Sequence, residues 1–202
     1  MMKMQSPSTD KFLNSLLYKL NHNKTRGLIH LRPLSETVDY GKVWIDQPRP
    51  TDDIDLFGYP FNFYFIKNNQ GIYVATVLDM TRNLHWFVLP RFRQQGHLTK
   101  ALKETILFHI FQDREEQKIT IDENISRYKT FLASKKVAIN VGFEKTYSNK
   151  NEYILTKDKY KTDKYFNGLN TELSEERIED IKKRINFIYR LLWLVQTHYR
   201  NP

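Results

Sequence analysis

The residues best suited to chemistry fall between Leu84 and Leu107, LHWFVLPRFRQQGHLTKALKETIL. Arg91 and Arg93 flank Phe92 in a basic turn that runs on through Gln94 and Gln95 to Gly96. A turn of this kind, if a helix follows it, can hold an anion. The first turn of a helix presents N–H groups without internal partners, together with the positive end of its dipole. Gly96 lets the backbone come close to the anion, and the two arginines add positive charge. The lysine-bearing loop of P-loop proteins and the three-glycine dinucleotide fingerprint are both absent. On residue types alone, a solvated loop with a turn glycine fits better than a phosphate cradle.

The elements around the turn can be read from hydrophobic period. Leu84, Trp86 and Val88 alternate with His85, Phe87 and Leu89, which predicts a strand ending at Pro90, a residue without a backbone donor. After the turn, Leu98, Ala101, Leu102, Thr105, Ile106 and His109 share one side of a predicted helix, and Leu107, Phe108 and Phe111 widen that face.

In that setting, Val88-x-Pro90 followed by Arg93-Gln94-Gln95-Gly96-His97-Leu98 resembles the coenzyme A signature of the GNAT N-acetyltransferase superfamily. That signature is Gln/Arg-x-x-Gly-x-Gly/Ala after a strand ending Val-x-Pro. Gly96 to Leu102 is most similar to the ribosomal-protein acetyltransferase-like branch, with Leu98 departing from the small residue of the strict motif. The resemblance implies acetyl-coenzyme A as cofactor. It places the diphosphate on amides from Arg93 to Leu98, with Arg91, His97 and Thr99 close by. The pantetheine arm would lie along Trp86, Phe87 and Val88, and a backbone N–H near Phe87 or Val88 would polarise the thioester carbonyl. The family often takes its general acid from a tyrosine seven residues after an asparagine early in the next helix. Here Asn124 fits the asparagine, but Phe131 stands at the tyrosine position, leaving Tyr128 one turn earlier as the candidate acid. The family's usual strand carboxylate is absent, so His85, with an ordinary pKa near 6.5, is the candidate base. The set is therefore catalytic His85 and Tyr128, and cofactor-binding Trp86, Phe87, Val88, Arg91, Arg93, Gln94, Gln95, Gly96, His97, Leu98, Thr99 and Asn124.

The rest of the chain is consistent with an α+β domain. Its 202 residues are 40% hydrophobic and 14% aromatic, enough for one substantial core. There is no cysteine, which excludes thiolate catalysis, disulfides and cysteine zinc sites. The six histidines show no paired ligand spacing, so no metal is expected. A net charge of +9 favours acidic partners or a phosphorylated cofactor. No signal-peptide core or bilayer-length apolar run is present, so the expectation is a cytoplasmic protein without a membrane partner.

Ser8 or Thr9 would cap a helix whose Phe12, Leu13, Leu16, Leu17 and Leu20 share a face. Residues 1–24 read as a helical appendage. Residues 25–157 would hold the acetyltransferase-like domain, with a mixed, mostly antiparallel sheet flanked by helices. Its strands would be Leu28–Leu34 (ending at Pro33), Phe61–Lys67, Ile72–Leu78, the signature strand, Lys118–Ile121 and a final hairpin after Val141-Gly142-Phe143-Glu144. Asn68-Asn69-Gln70-Gly71 predicts a hairpin turn. Ser35–Pro60 has no clear period, and Asp52, Asp53 and Asp55 in it fit a solvated loop, with an amine-binding or base role as the lesser reading. A helix is expected over Ile125–Asn140. Residues 158–202 read as a linker and a long C-terminal helix, whose Ile178, Ile181, Ile185, Ile188, Leu192, Val195 and Tyr199 form a heptad seam. The seam would pack on the N-terminal helix or on a second copy in a homodimer. Lys182-Lys183-Arg184 fits a solvated face, or a nucleic-acid contact as the lesser reading.

Three functions follow as expectations. The first is an N-acetyltransferase moving an acetyl group to a primary amine of a protein or peptide. The second is a coenzyme A-binding module without efficient transfer. The third is a basic nucleic-acid-binding protein.

Overall fold

The structure, a computed structural model, describes residues 6–25, 28–45, 60–122, 128–146, 151–161 and 175–200. The chain divides into two compact units, Met1–Leu169 and Asn170–Pro202. The first is a mixed α+β unit built on five antiparallel strands in sequential order.

Helix α1 (Asp10–Asn21) starts where Thr9 Oγ1 accepts the Phe12 N–H at 3.3 Å. Its leucines at 13, 16, 17 and 20 are buried against Ile29, Val43, Phe63, Phe65, Leu78 and Phe87. Each such leucine contributes about 1.5–3 kcal/mol relative to exposure. Where the sequence suggested an appendage, this helix packs on one face of the sheet, mainly over β4 and β5.

Strand β1 (Ile29–Ser35) pairs with β2 (Val38–Val43), and β2 with β3 (Phe61–Lys67). Strand β1 runs through Pro33 instead of ending there. Trp44 N–H donates to Leu28 O at 2.9 Å, so alternation along the ladder turns Pro33 toward the open side, where a missing donor costs nothing. Strand β2 falls in the stretch that showed no period. Val38 and Val43 are buried, but Gly41 sits between them and hides the alternation. A Cβ on Gly41 would lie 2.6 Å from the Phe65 ring, so that position admits no side chain unless the ring shifts. The acidic residues Asp52, Asp53 and Asp55 lie outside the described residues.

Strands β3 and β4 (Tyr73–Asp79) meet at the expected turn, where Asn68 Oδ1 accepts the amides of Gln70 and Ile72, both at 3.0 Å. Strand β5 (Leu84–Val88) closes the sheet. Helix α2 follows over residues 97–110, with a π-helical turn at Leu102–Ile106 between its α-helical ends. Its Leu98, Ala101, Leu102, Ile106 and Ile110 pack on Tyr64, Ile66, Ala75 and Val77, the face opposite α1.

A second, three-stranded antiparallel sheet runs β6 (Glu116–Thr120), β8 (Glu152–Thr156), β7 (Glu144–Lys145). Helix α3 (Tyr128–Val141) connects β6 to β7. In the second unit, α4 (Glu175–Arg200) carries the heptad seam, and Ile185, Ile188, Leu192 and Val195 are all exposed. No described helix is long and apolar enough to cross a membrane.

Candidate functional site

Two ladders fix which backbone groups face the gap between β5 and β6. Leu89 N–H donates to Val74 O at 3.0 Å, so alternation assigns Phe87 and His85 to bonds with β4. Leu84, Trp86 and Val88 then turn their amides and carbonyls away from β4. On the other side, Ile121 N–H donates to Asn151 O at 2.8 Å and Lys157 N–H to Glu115 O at 2.9 Å. Odd residues of β6 therefore face β8, and Lys118 and Thr120 face β5. The two strands run parallel and share one bridge, Asn83 with Lys118. They then belong to separate sheets. Among the described residues, the two strands share no further ladder pairing beyond that bridge.

The basic turn sits at the open end of β5. Pro90–Phe92 makes a single 3-10 turn. Gln94 and Gly96 both adopt the left-handed conformation, with φ of 61° and 79°. A Cβ on Gly96 would meet nothing within 4 Å, so the glycine is present for backbone freedom and exposure, not for packing. Arg91, Arg93, Gln94 and Gln95 are exposed. Among the described residues, no hydrogen bond is donated by the amides of Gln94, Gln95, Gly96, His97, Leu98 or Thr99. The turn thus presents amides as well as side chains to solvent. The arginines are partly engaged: Arg93 Nε donates to Val88 O at 3.1 Å, and the Arg91 guanidinium lies 4.7 Å from the centre of the Phe92 ring. The Gln95 side-chain amide donates to Arg91 O at 3.0 Å and bridges the turn. A cleft of about 320 Å³ adjoins the turn, with Lys67, His97 and Lys100 on its wall.

The remaining candidates scatter. Phe87 turns its ring into the α1 cluster and pairs its backbone with β4, so it faces away from the gap. Trp86 packs toward α3, its Nε1–H donating to Ser134 Oγ at 3.3 Å. Leu98 is buried in the core, so only its amide is at the turn. His97 Nε2 lies 3.2 Å from Gln95 Oε1. Thr99 is half-buried in the first turn of α2. Tyr128 opens α3, but its side chain and all of Asn124 lie outside the described residues. Phe131 packs on the core.

His85 points to the α1 face, opposite Trp86 and beside the start of that helix. Burial holds its pKa below the ordinary value, against the opposing pull of Asp10 and a hydrogen bond with the Ser8 backbone. Its Nε2 is buried and has no partner among the described residues. A neutral imidazole with an unused ring nitrogen is the protonation state a base requires.

Sequence reasoning missed a polar cluster at the far end of α2. Arg32 Nη2 lies 3.1 Å from His109 Nε2, and Tyr64 Oη lies 2.9 Å from His109 Nδ1. Arginine can only donate, so Nε2 accepts and the imidazole is neutral, with its Nδ1–H donating to Tyr64. Burial and then the Arg32 charge push the His109 pKa down, and burial pushes the Tyr64 hydroxyl up. Nearby, Arg114 clamps Asp79 through two bonds of 3.0 and 2.7 Å, and it also donates to Thr81 O and Gln117 Oε1. The one sequence signal was a histidine in the apolar face of α2. Among the described residues, no group of three or more His, Asp or Glu is placed to hold a metal.

No family model, no curated protein and no solved structure matches this chain.

Proposed function

We propose that this chain is an acetyl-coenzyme A-dependent N-acetyltransferase, moving the acetyl group directly to a primary amine of a protein or peptide through a GNAT-like arrangement of its strands. One observation carries the reading. Strands β5 and β6 run parallel from a single bridge and then part into separate sheets, next to an exposed turn with six undonated N–H groups among the described residues. Such a wedge suits a cofactor with an amide-bearing arm and a diphosphate. The arm would pair with Trp86, and the diphosphate would rest on the amides from Gln94 to Thr99, with Arg91 and Arg93 supplying charge. Of the two amides the family resemblance left open for the thioester carbonyl, Val88 N–H is the one turned toward the gap.

The transfer needs little else. The amine nitrogen attacks the thioester carbon, the C–S bond breaks, a base removes the ammonium proton, and the leaving thiolate takes up a proton. A candidate base is His85, which lies on the α1 face of β5 with Phe87 and would reach the amine only through a relay of water. A candidate acid is Tyr128.

The second reading, a binding module without transfer, is favoured by a specific pair of facts. Phe131, which cannot give a proton, occupies the usual acid position, and the Ser8 backbone holds the His85 ring. Acetyl-coenzyme A incubated with a panel of primary amines and peptides separates the two. The enzyme reading expects acetylated product and free thiol in equal amounts, with His85→Gln lowering kcat by roughly a hundredfold or more. Binding without product supports the second reading.

A further inference from the structure

The geometry points to Asn83 as the wedge that holds β5 and β6 apart, and therefore as a positioning residue of the cofactor gap. This assignment rests on the acetyltransferase reading of that gap. The bridge between Asn83 and Lys118 fixes the register of the two parallel strands. In that register the next rung of a parallel ladder would be a bond from Thr120 N–H to the Leu84 carbonyl. Thr120 does face β5, because Ile121 and its odd-numbered neighbours on β6 bond to β8.

That rung does not form. Thr120 N–H donates instead to Asn83 Oδ1 at 3.0 Å, and Asn83 Nδ2 donates to Thr120 Oγ1 at 3.0 Å. The side-chain amide copies one peptide unit of a strand and takes the hydrogen that would have continued the zipper. Pairing ends after one bridge, and among the described residues the edge of β5 beyond Leu84 has no further ladder partner on that side. The apex is braced from behind. Met80 N–H donates to Asn83 O at 3.0 Å, and Arg114 ties Asp79 and Thr81 of the same turn to Gln117 at the start of β6. The strands are thus pinned at the apex while the side chain blocks them from closing further along.

Removing the block predicts closure. In Asn83→Val, Thr120 N–H is released to pair with Leu84, and Trp86 N–H follows onto the Thr120 carbonyl. Asn83→Asp keeps the acceptor for Thr120 N–H and preserves the wedge. Asn83→Ala is a second release variant with less demand on packing. Amide hydrogen exchange of Trp86, followed by NMR on the full chain, reads the wedge without any ligand. Calorimetric titration with acetyl-coenzyme A reads its consequence. The expected result is greater protection of the Trp86 amide and roughly tenfold weaker binding in Asn83→Val and Asn83→Ala, with both properties near wild type in Asn83→Asp. Unchanged Trp86 protection in both release variants overturns the wedge. Increased protection with undiminished binding overturns its positioning role. A wild-type chain that binds no acetyl-coenzyme A defeats the acetyltransferase reading instead, and the exchange data still decide whether Asn83 separates the strands.

Discussion

The two ends of helix α2 are built from similar residues to opposite purpose. At its start, two arginines, two glutamines and a histidine surround a run of amides that donate no hydrogen bond among the described residues. At its finish, His109, Tyr64, Arg32, Asp79 and Arg114 exchange hydrogen bonds with one another and with neighbouring backbone. Burial explains the difference. Unpaired donors are cheap in water and costly in a core, so unused hydrogen-bonding capacity gathers where solvent or a ligand can satisfy it. The open end is where the proposed cofactor would gain binding energy, and the closed end is where the scaffold's buried polar groups satisfy one another.

The contrast breaks most visibly at the closed end. Arg114→Ala leaves the Asp79 carboxylate buried without its partner, and the expected loss is about 3–5 kcal/mol in denaturant unfolding. Tyr64→Phe removes the acceptor of the His109 Nδ1–H and should cost about 1–3 kcal/mol; a wild-type midpoint would mean that the cluster is not closed.

The histidine pair gives a pH test. His85 and His109 have folded pKa values below their unfolded ones, so the unfolded chain takes up more protons in the window between. Their contribution to stability is complete above about pH 6.5 and is lost as pH falls from there toward the folded values. His109→Gln should flatten the slope of unfolding free energy against pH over that interval, and a slope identical to wild type would contradict a buried neutral imidazole.

The smallest effect belongs to the open end. Arg91→Ala should change unfolding free energy by less than about 0.5 kcal/mol, yet weaken acetyl-coenzyme A binding more at low salt than at high. A large stability loss would place Arg91 with the scaffold instead.

What the sequence disclosed follows the same division. The strands Phe61–Lys67 and Leu84–Val88, and the turn closing on Gly71, could be read from aromatic and apolar runs and turn chemistry because those signals are local. The strand Val38–Val43 could not, since Gly41 replaces a side chain at the point where Phe65 crosses it. Nor could the structural weight of α1, whose leucines announce a face but not what that face meets. The basic turn was visible from Arg93 and Gly96, whereas the assignment of Val88 over Phe87 needed the ladder with β4. Arg32, Tyr64 and His109 are far apart in the chain, and nothing local marks their meeting. Asn83 was likewise an ordinary turn residue until its side chain was seen opposite Thr120.

Thermal unfolding with and without acetyl-coenzyme A bears most directly on the proposed cofactor site. At a hundred times its dissociation constant a ligand adds about 2.7 kcal/mol, which at this chain length raises the midpoint by roughly 5–10 °C. The account predicts that shift in the wild type and its loss in Gly96→Asp, where a carboxylate enters open space on the turn and strains the backbone by only about 1–2 kcal/mol. No shift in the wild type, or the same shift in Gly96→Asp, would contradict it.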